Sequence, residues 1–169
     1  IEKIIGEKID LVVMVQGDEP MVTPKMISES LQPLFEDSTV NVVNLMANMD
    51  SCAEFEDPNE VKVVVDNFSN AIYFSREPIP SRKKDFERVP MLKQVCIIPF
   101  RRDYLLKFND TPETNLEKIE SVDMMRIIEN GEKVRMAMTE VKSFSVDTQE
   151  DLLNVEKKME NDQLMTQYK

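Results

Sequence analysis

The chain of 169 residues has no histidine and no tryptophan, three glycines and two cysteines. Without histidine, Ser-His-Asp and Cys-His catalysis and every His-based metal site are excluded. The cysteines, Cys52 and Cys96, lie far apart. They offer no metal-ligand spacing and make no disulfide scaffold, so two buried free thiols in a reducing compartment are expected. Three glycines leave no Gly-rich loop anywhere. No apolar run approaches the ~20 residues of a membrane helix. The charged N-terminal segment does not read as a signal peptide. The expectation is therefore a cytoplasmic protein with no membrane partner. Basic residues are the minority, 21 against 32 acidic, for a net charge of -11. That argues against nucleic acid as a partner. A small anionic substrate stays admissible, because a local basic cluster or a bound cation reverses the local field. Chemistry is left to carboxylates, Lys and Arg, and a hard cation. The chain starts at Ile1 rather than at a methionine, which suggests that the true N-terminus is missing.

What is present is an alternation of strand and helix signals. Residues 9–15 form a nearly continuous apolar run, as in a strand buried on both faces of a parallel sheet. It ends in Gln16-Gly17-Asp18-Glu19-Pro20. Thr23-Pro24 then makes a helix start, followed by Met26, Ile27, Leu31, Leu34 and Phe35 at helical spacing. Residues 40–47 read as a strand, 51–59 as an acidic loop, and 61–65 with 71–75 as a hairpin. A long loop covers 76–90, with Arg82-Lys83-Lys84 solvated. A strand at 94–100 and a short helix at 103–108 follow. One helix starts at Thr111-Pro112, carries Leu116, Ile119, Val122, Met125 and Ile128, and closes at Asn130-Gly131. Residues 133–138 are a strand and 144–147 a short strand ending in a carboxylate. Thr148 caps a last helix carrying Leu152, Val155 and Met159, and the tail after Asn161 frays. The pattern predicts a single α/β domain over residues 1–169, with a mostly parallel mixed sheet flanked by helices.

In such sheets ligands bind outside the carboxyl ends of the strands. Asp18 and Asp147 both fall at strand ends. Two neighbouring carboxylates repel unless a cation lies between them. Mg²⁺ suits the arrangement, since it takes one or two carboxylates plus substrate phosphates. The plainer reading makes Asp18 a turn residue and Asp147 a charge favoured at a helix start. Pattern alone leaves both readings open.

Gln16-Gly17-Asp18-Glu19-Pro20 after an apolar strand resembles the signature of the 3-deoxy-manno-octulosonate cytidylyltransferases, or CMP-Kdo synthetases. Further matches keep that family's order. They are Pro58-Asn59-Glu60-Val61-Lys62-Val63-Val64, Tyr73-Phe74-Ser75-Arg76 with Pro78-Ile79-Pro80, and Leu116-Glu117-Lys118-Ile119-Glu120-Ser121. Arg126 with Glu129-Asn130-Gly131, and Val146-Asp147-Thr148 with Glu150-Asp151-Leu152, complete the series. The resemblance runs over residues 9–159 and to the family's C-terminal two-thirds. It implies a nucleotide-diphospho-sugar transferase-like, Rossmann-like fold that lacks its N-terminal βα units. It implies transfer of CMP from CTP to an acidic sugar, Kdo or a related ulosonic acid, with release of pyrophosphate, for cell-surface polysaccharide synthesis. It also implies a homodimer, with residues 58–80 as a possible contact segment. By the same resemblance Asp18 and Asp147 are catalytic and hold Mg²⁺. Gln16, Arg76, Gln94, Asp123 and Arg126 bind substrate.

The departures are specific. Gln94 stands where the family has histidine, and Ile98 where it has tyrosine. Asp123-Met124 replaces a Glu-Gln pair, and Ser81-Arg82-Lys83 replaces Trp-Asp-Arg. These changes point to an altered sugar preference, an 8-amino ulosonic acid being one candidate. The family's Arg/Ser/Pro/Gly/Lys-rich nucleotide loop has no counterpart before Ile9. The chain by itself is therefore expected to be inactive. The competing expectation is a non-catalytic fragment or partner module that keeps the cytidylyltransferase fold.

Overall fold

The computed structural model describes residues 1–84 and 89–164. Residues 85–88 of the expected long loop and residues 165–169 of the expected fraying tail lie outside the described residues. In chain order the elements are α1 (Glu2–Ile5), β1 (Leu11–Val15), α2 (Pro24–Glu36), β2 (Val43–Asn48), α3 (Cys52–Glu56), β3 (Lys62–Val65) and β4 (Ala71–Ser75). Then come β5 (Leu92–Val95), β6 (Ile97–Arg101), α4 (Arg102–Asp110), α5 (Asn115–Glu120), α6 (Met125–Glu129), β7 (Arg135–Thr139) and α7 (Gln149–Met159).

Local chemistry sets these boundaries. Thr23 caps α2 by accepting from the Met26 N–H, and Pro24 occupies the first turn, where a missing N–H costs nothing. Thr148 and Asp151 form a capping box that starts α7. The turn between β3 and β4 is organised by the Asp66 carboxylate, which accepts from the N–H groups of Phe68 and Asn70 at 2.8 Å. Ser69 takes the left-handed conformation in that turn.

The sheet is mixed, in the order β4-β3-β5-β2-β7, with a second pair β1-β6 beside it. Among the described residues only β2 and β7 run parallel; β2–β5, β3–β4, β3–β5 and β1–β6 are antiparallel. The mostly parallel character read from the sequence is thus corrected. Parallel neighbours need long crossovers, and the five residues between β3 and β4 permit only a hairpin. β1 is half-buried rather than buried on both faces, because among the described residues it pairs along one edge only. Phe74, Phe100, Met124, Met125 and Ile98 centre the main core, between the sheet and α4–α6. Met26, Leu45 and Ile97 form a second cluster under α2. Several methionines fill these cores.

Other expectations change too. The acidic loop at 51–59 contains α3, because Ser51 accepts from the Glu54 N–H and Phe55 is fully buried. The single helix after Thr111 is two, broken at Ser121 in the left-handed conformation. Residues 144–147 form no strand; their backbone bonds to the loop after β1 instead. Both cysteines are free, but Cys52 is exposed at the start of α3 rather than buried. Phe35, Ile119 and Leu152 are exposed, although they fall at helical apolar spacing. Arg82 is not simply solvated: it pairs with Glu56 at 2.5 Å and lies over the Phe55 ring. Among the described residues, no helix is long and apolar enough to cross a membrane.

Phe74 sits in the middle of the main core. Phe74→Ala is expected to cost about 3–5 kcal/mol in urea-melt stability, as for other buried aromatic truncations.

Candidate active site

β5 and β6 act as one long strand interrupted at Cys96. At its Ile97–Arg101 half it pairs with β1, and the last rung is the Gln16 N–H donating to the Cys96 carbonyl at 3.2 Å. Two residues earlier the Gln94 N–H donates to the Val61 carbonyl at 2.8 Å, and β3 begins. Backbone groups two residues apart face the same edge. So β1 and β3 share one edge of the long strand and diverge around Cys96. A cavity of about 400 Å³ occupies the divergence.

Gln16, Asp18, Gln94, Arg76, Asp123 and Asp147 all line this cavity. Two bonds bring the acid-bearing loops together. The Val146 N–H donates to the Asp18 carbonyl at 2.9 Å. The Ser143 hydroxyl donates to the buried Glu19 carboxylate. Asp18 and Asp147 are exposed, and among the described residues no hydrogen bond or ion pair engages either carboxylate. No cluster of three or more Cys, Asp or Glu side chains suited to a metal occurs among the described residues. A cation here would rest on these two carboxylates, with ligand oxygens or water completing the shell. That donor set fits Mg²⁺, which keeps waters and binds through few carboxylates.

The field in the cavity is strongly negative. Burial pushes the Cys96 thiol far up, and Glu19, Asp18, Asp123 and Asp147 push it further. Cys96 therefore stays protonated and is no nucleophile. Burial raises the Glu19 pKa, only partly offset by Ser143. Asp123 reaches the cavity because the chain breaks at Ser121, and burial raises its pKa as well. Glu60 lies between this cavity and a larger one of about 780 Å³, and Asp147 also borders both. Lys93 bonds Glu54 at 2.8 Å and Glu60 at 3.0 Å. Burial opposes the charge on Lys93, but the two carboxylates outweigh it and hold the ammonium charged.

The arginines are held by the protein. Arg76 donates to the carbonyls of Glu120 (2.8 Å) and Pro58 (3.0 Å). Its own carbonyl accepts from the fully buried Lys62, which also binds the carbonyls of Asp57 and Glu60. Arg126 is not brought to the cavity with the others. It pairs with Glu117 at 2.5 Å, binds the Thr111 carbonyl at 3.0 Å and lines a different, smaller pocket. Of the departures from the family pattern, Gln94 and Asp123 line the cavity, while Ile98 and Met124 are fully buried in the core. Glu19, Glu60 and Ser143 were not picked out from the sequence. Glu19 and Glu60 sit inside the quoted motifs, where burial was the missing information; Ser143 carried no signal.

Comparison with known proteins adds the following. The pattern of a family described as cytidylyltransferase matches residues 1–134. A 3-deoxy-manno-octulosonate cytidylyltransferase of Geobacter metallireducens is 36% identical over 165 residues, covering 92% of this chain and 65% of that protein. One from Solibacter usitatus is 38% identical over 150 residues, 89% of this chain and 60% of that protein. A solved CMP:2-keto-3-deoxy-manno-octonic acid synthetase complexed with CTP superposes with a TM-score of 0.82 at 34% identity, over 94% of this chain and 65% of that one. The chain thus spans 60–65% of the length of these relatives.

Two outcomes are expected. Arg126→Met breaks a largely buried pair and leaves Glu117 uncompensated, so it should lower stability by about 3–5 kcal/mol in urea melts. Asp123→Asn should raise the melting temperature at neutral pH. A carboxylate whose folded pKa is raised is a burden above that pKa, so the gain should fade as pH falls through the raised value towards the ordinary aspartate range.

Proposed function

The chain belongs to the cytidylyltransferase family, and on that premise we propose that its protein transfers CMP from CTP to an acidic sugar, Kdo or a related ulosonic acid. One observation carries the reading. The loops after β1 and β7 are tied by the Val146–Asp18 backbone bond, and they present two unengaged carboxylates to one cavity at the ends of the strands. In the proposed reaction the anomeric hydroxyl of the sugar attacks the α-phosphorus of CTP. The new O–P bond forms as the bond to pyrophosphate breaks, and the hydroxyl proton leaves to solvent or to a nearby carboxylate. Asp18 and Asp147 would hold Mg²⁺, which when bound neutralises phosphate charge.

The chain's own residues have the remaining tasks. Glu19 and Ser143 keep the two loops in register. Gln16, Gln94 and Asp123 offer polar contacts along the cavity wall. Arg76 borders it as a fixed positive charge, its donors partly spent on carbonyls. A role for Arg126 in substrate binding would be indirect, through the Glu117 pair that joins α5 to α6. Gln94 and Asp123 support a sugar preference different from that of the relatives. Free cysteines and the use of CTP support a cytoplasmic setting. For synthesis of a cell-surface polysaccharide, the product would be an activated sugar.

The β3–β4 hairpin is where the homodimer through residues 58–80 would form. Phe68 and Ile72 stand 75% and 53% exposed on it, and a second subunit would cover both.

The test of activity is CTP-dependent pyrophosphate release by the intact protein with Kdo and Mg²⁺. Turnover is expected, with Asp18→Asn and Asp147→Asn each lowering it at least about 100-fold. Absence of turnover with any ulosonic acid would contradict the proposal and favour a partner module. For assembly, the paired change Phe68→Asp and Ile72→Asp should shift the protein from dimer to monomer in light scattering. An unchanged mass would remove the hairpin from the interface.

A further inference from the structure

One wall of the cavity is set by a pair of amides. Asn44 on β2 is fully buried, and Gln94, on the neighbouring β5 and paired across to Met46, is 9% exposed. Asn44 Nδ2 donates to the carbonyls of Leu45 and Val95, each at 2.8 Å. An amide nitrogen carries two hydrogens, and both are used. Turning Asn44 over would set its oxygen against two buried carbonyls, a loss of both bonds with nothing in return. Its Oδ1 therefore faces Gln94. Gln94 must answer with Nε2, which donates to it at 2.5 Å. That leaves Gln94 Oε1, which accepts no hydrogen bond among the described residues, on a side chain that lines the cavity.

We infer that Asn44 is a positioning residue that fixes Gln94 as a hydrogen-bond acceptor toward the cavity. The site then selects a ligand group that donates there, a hydroxyl or an ammonium. This rests on the proposal that the sugar occupies this cavity, and it orients the sugar. The hydroxyl-bearing or amine-bearing part faces Gln94 and the partly buried Asp123, a second acceptor on the same cavity. The Asp123 carboxylate repels the sugar carboxylate and turns it to another part of the cavity. Neither amide titrates, so the orientation of Gln94 itself does not change with pH, unlike that of an imidazole.

Two readouts on the intact protein test the inference. In the first, the Gln94 side-chain amide is identified by NMR from its loss in Gln94→Leu. Asn44→Leu should shift that signal and speed its solvent exchange roughly tenfold or more. An unmoved signal would overturn the orientation. In the second, pyrophosphate release is measured against Kdo and CTP separately. Gln94→Leu and Asn44→Leu should raise KM for the sugar roughly 10–100-fold, with KM for CTP and kcat nearly unchanged. Gln94→His should recover most of that loss, because a neutral imidazole donates through one nitrogen and accepts through the other. Equal rises in both KM values, or no recovery by histidine, would refute the selective role. Should Asn44→Leu fail to fold, Asn44→Ser, whose hydroxyl carries a single hydrogen, takes its place in both readouts with the same expected outcomes. Absence of turnover in the unmodified protein counts against cytidylyl transfer alone, and the NMR readout still decides the amide orientation.

Discussion

The Gln16 N–H to Cys96 carbonyl bond is where β1 stops pairing with the long strand beside it. Two residues away, the bond from Gln94 to Val61 is where β3 takes over the same edge. A sheet that continued β1 straight into that edge would have no cavity. Because the two strands flare apart instead, the wall between them is floored by Gln94 and Cys96, and the loop after β1 is free to turn toward the segment after β7. The backbone bond from Val146 to the Asp18 carbonyl and the side-chain bond from Ser143 to Glu19 then close the arrangement. The two carboxylates proposed as chemical groups are set by backbone geometry rather than by partners of their own.

The electrostatics follow from that packing. Glu19 and Asp123 are buried enough that their pKa values rise, so each burdens the fold at neutral pH. Concentrating negative charge at a partly dry cavity is unfavourable in isolation. It becomes reasonable when a cation and its ligand enter, which fits the usual exchange of stability for function. The paired groups behave in the opposite way. Arg126 holds the Glu117 carboxyl below its ordinary range, which helps join the two short helices. The difference separates residues that serve the fold from those that face a ligand better than sequence position does.

Much of this was legible in the sequence. The strand–loop–helix around Gln16–Pro20 could be read because an apolar run, a polar break and a Thr-Pro cap each leave a local signature. The hairpin at β3–β4 was readable for the same reason; Asp18 and Asp147 do line one cavity, but Asp147 lies in a loop and not at the end of the strand expected there. What escaped was non-local. The direction of the strands depends on connections that pass through the whole chain. The five-residue α3 is shorter than any periodicity can register. Ser121 breaks a helix whose apolar spacing continues through it. Arg126 carries the right charge for a substrate contact, and only the structure shows its guanidinium spent on Glu117. Asn44 looks like an ordinary strand residue until the carbonyls it satisfies are known.

The central claim is that the loops after β1 and β7 act as one cation site. Titration calorimetry of Mg²⁺ into the intact protein with CTP, for Asp18→Asn, Asp147→Asn and the double variant, tests it most directly. The account predicts that each single change lowers affinity about tenfold or more, and that the double variant is little worse than either, as for two groups sharing one ion. Fully additive losses, or affinity unchanged in either single variant, would contradict it.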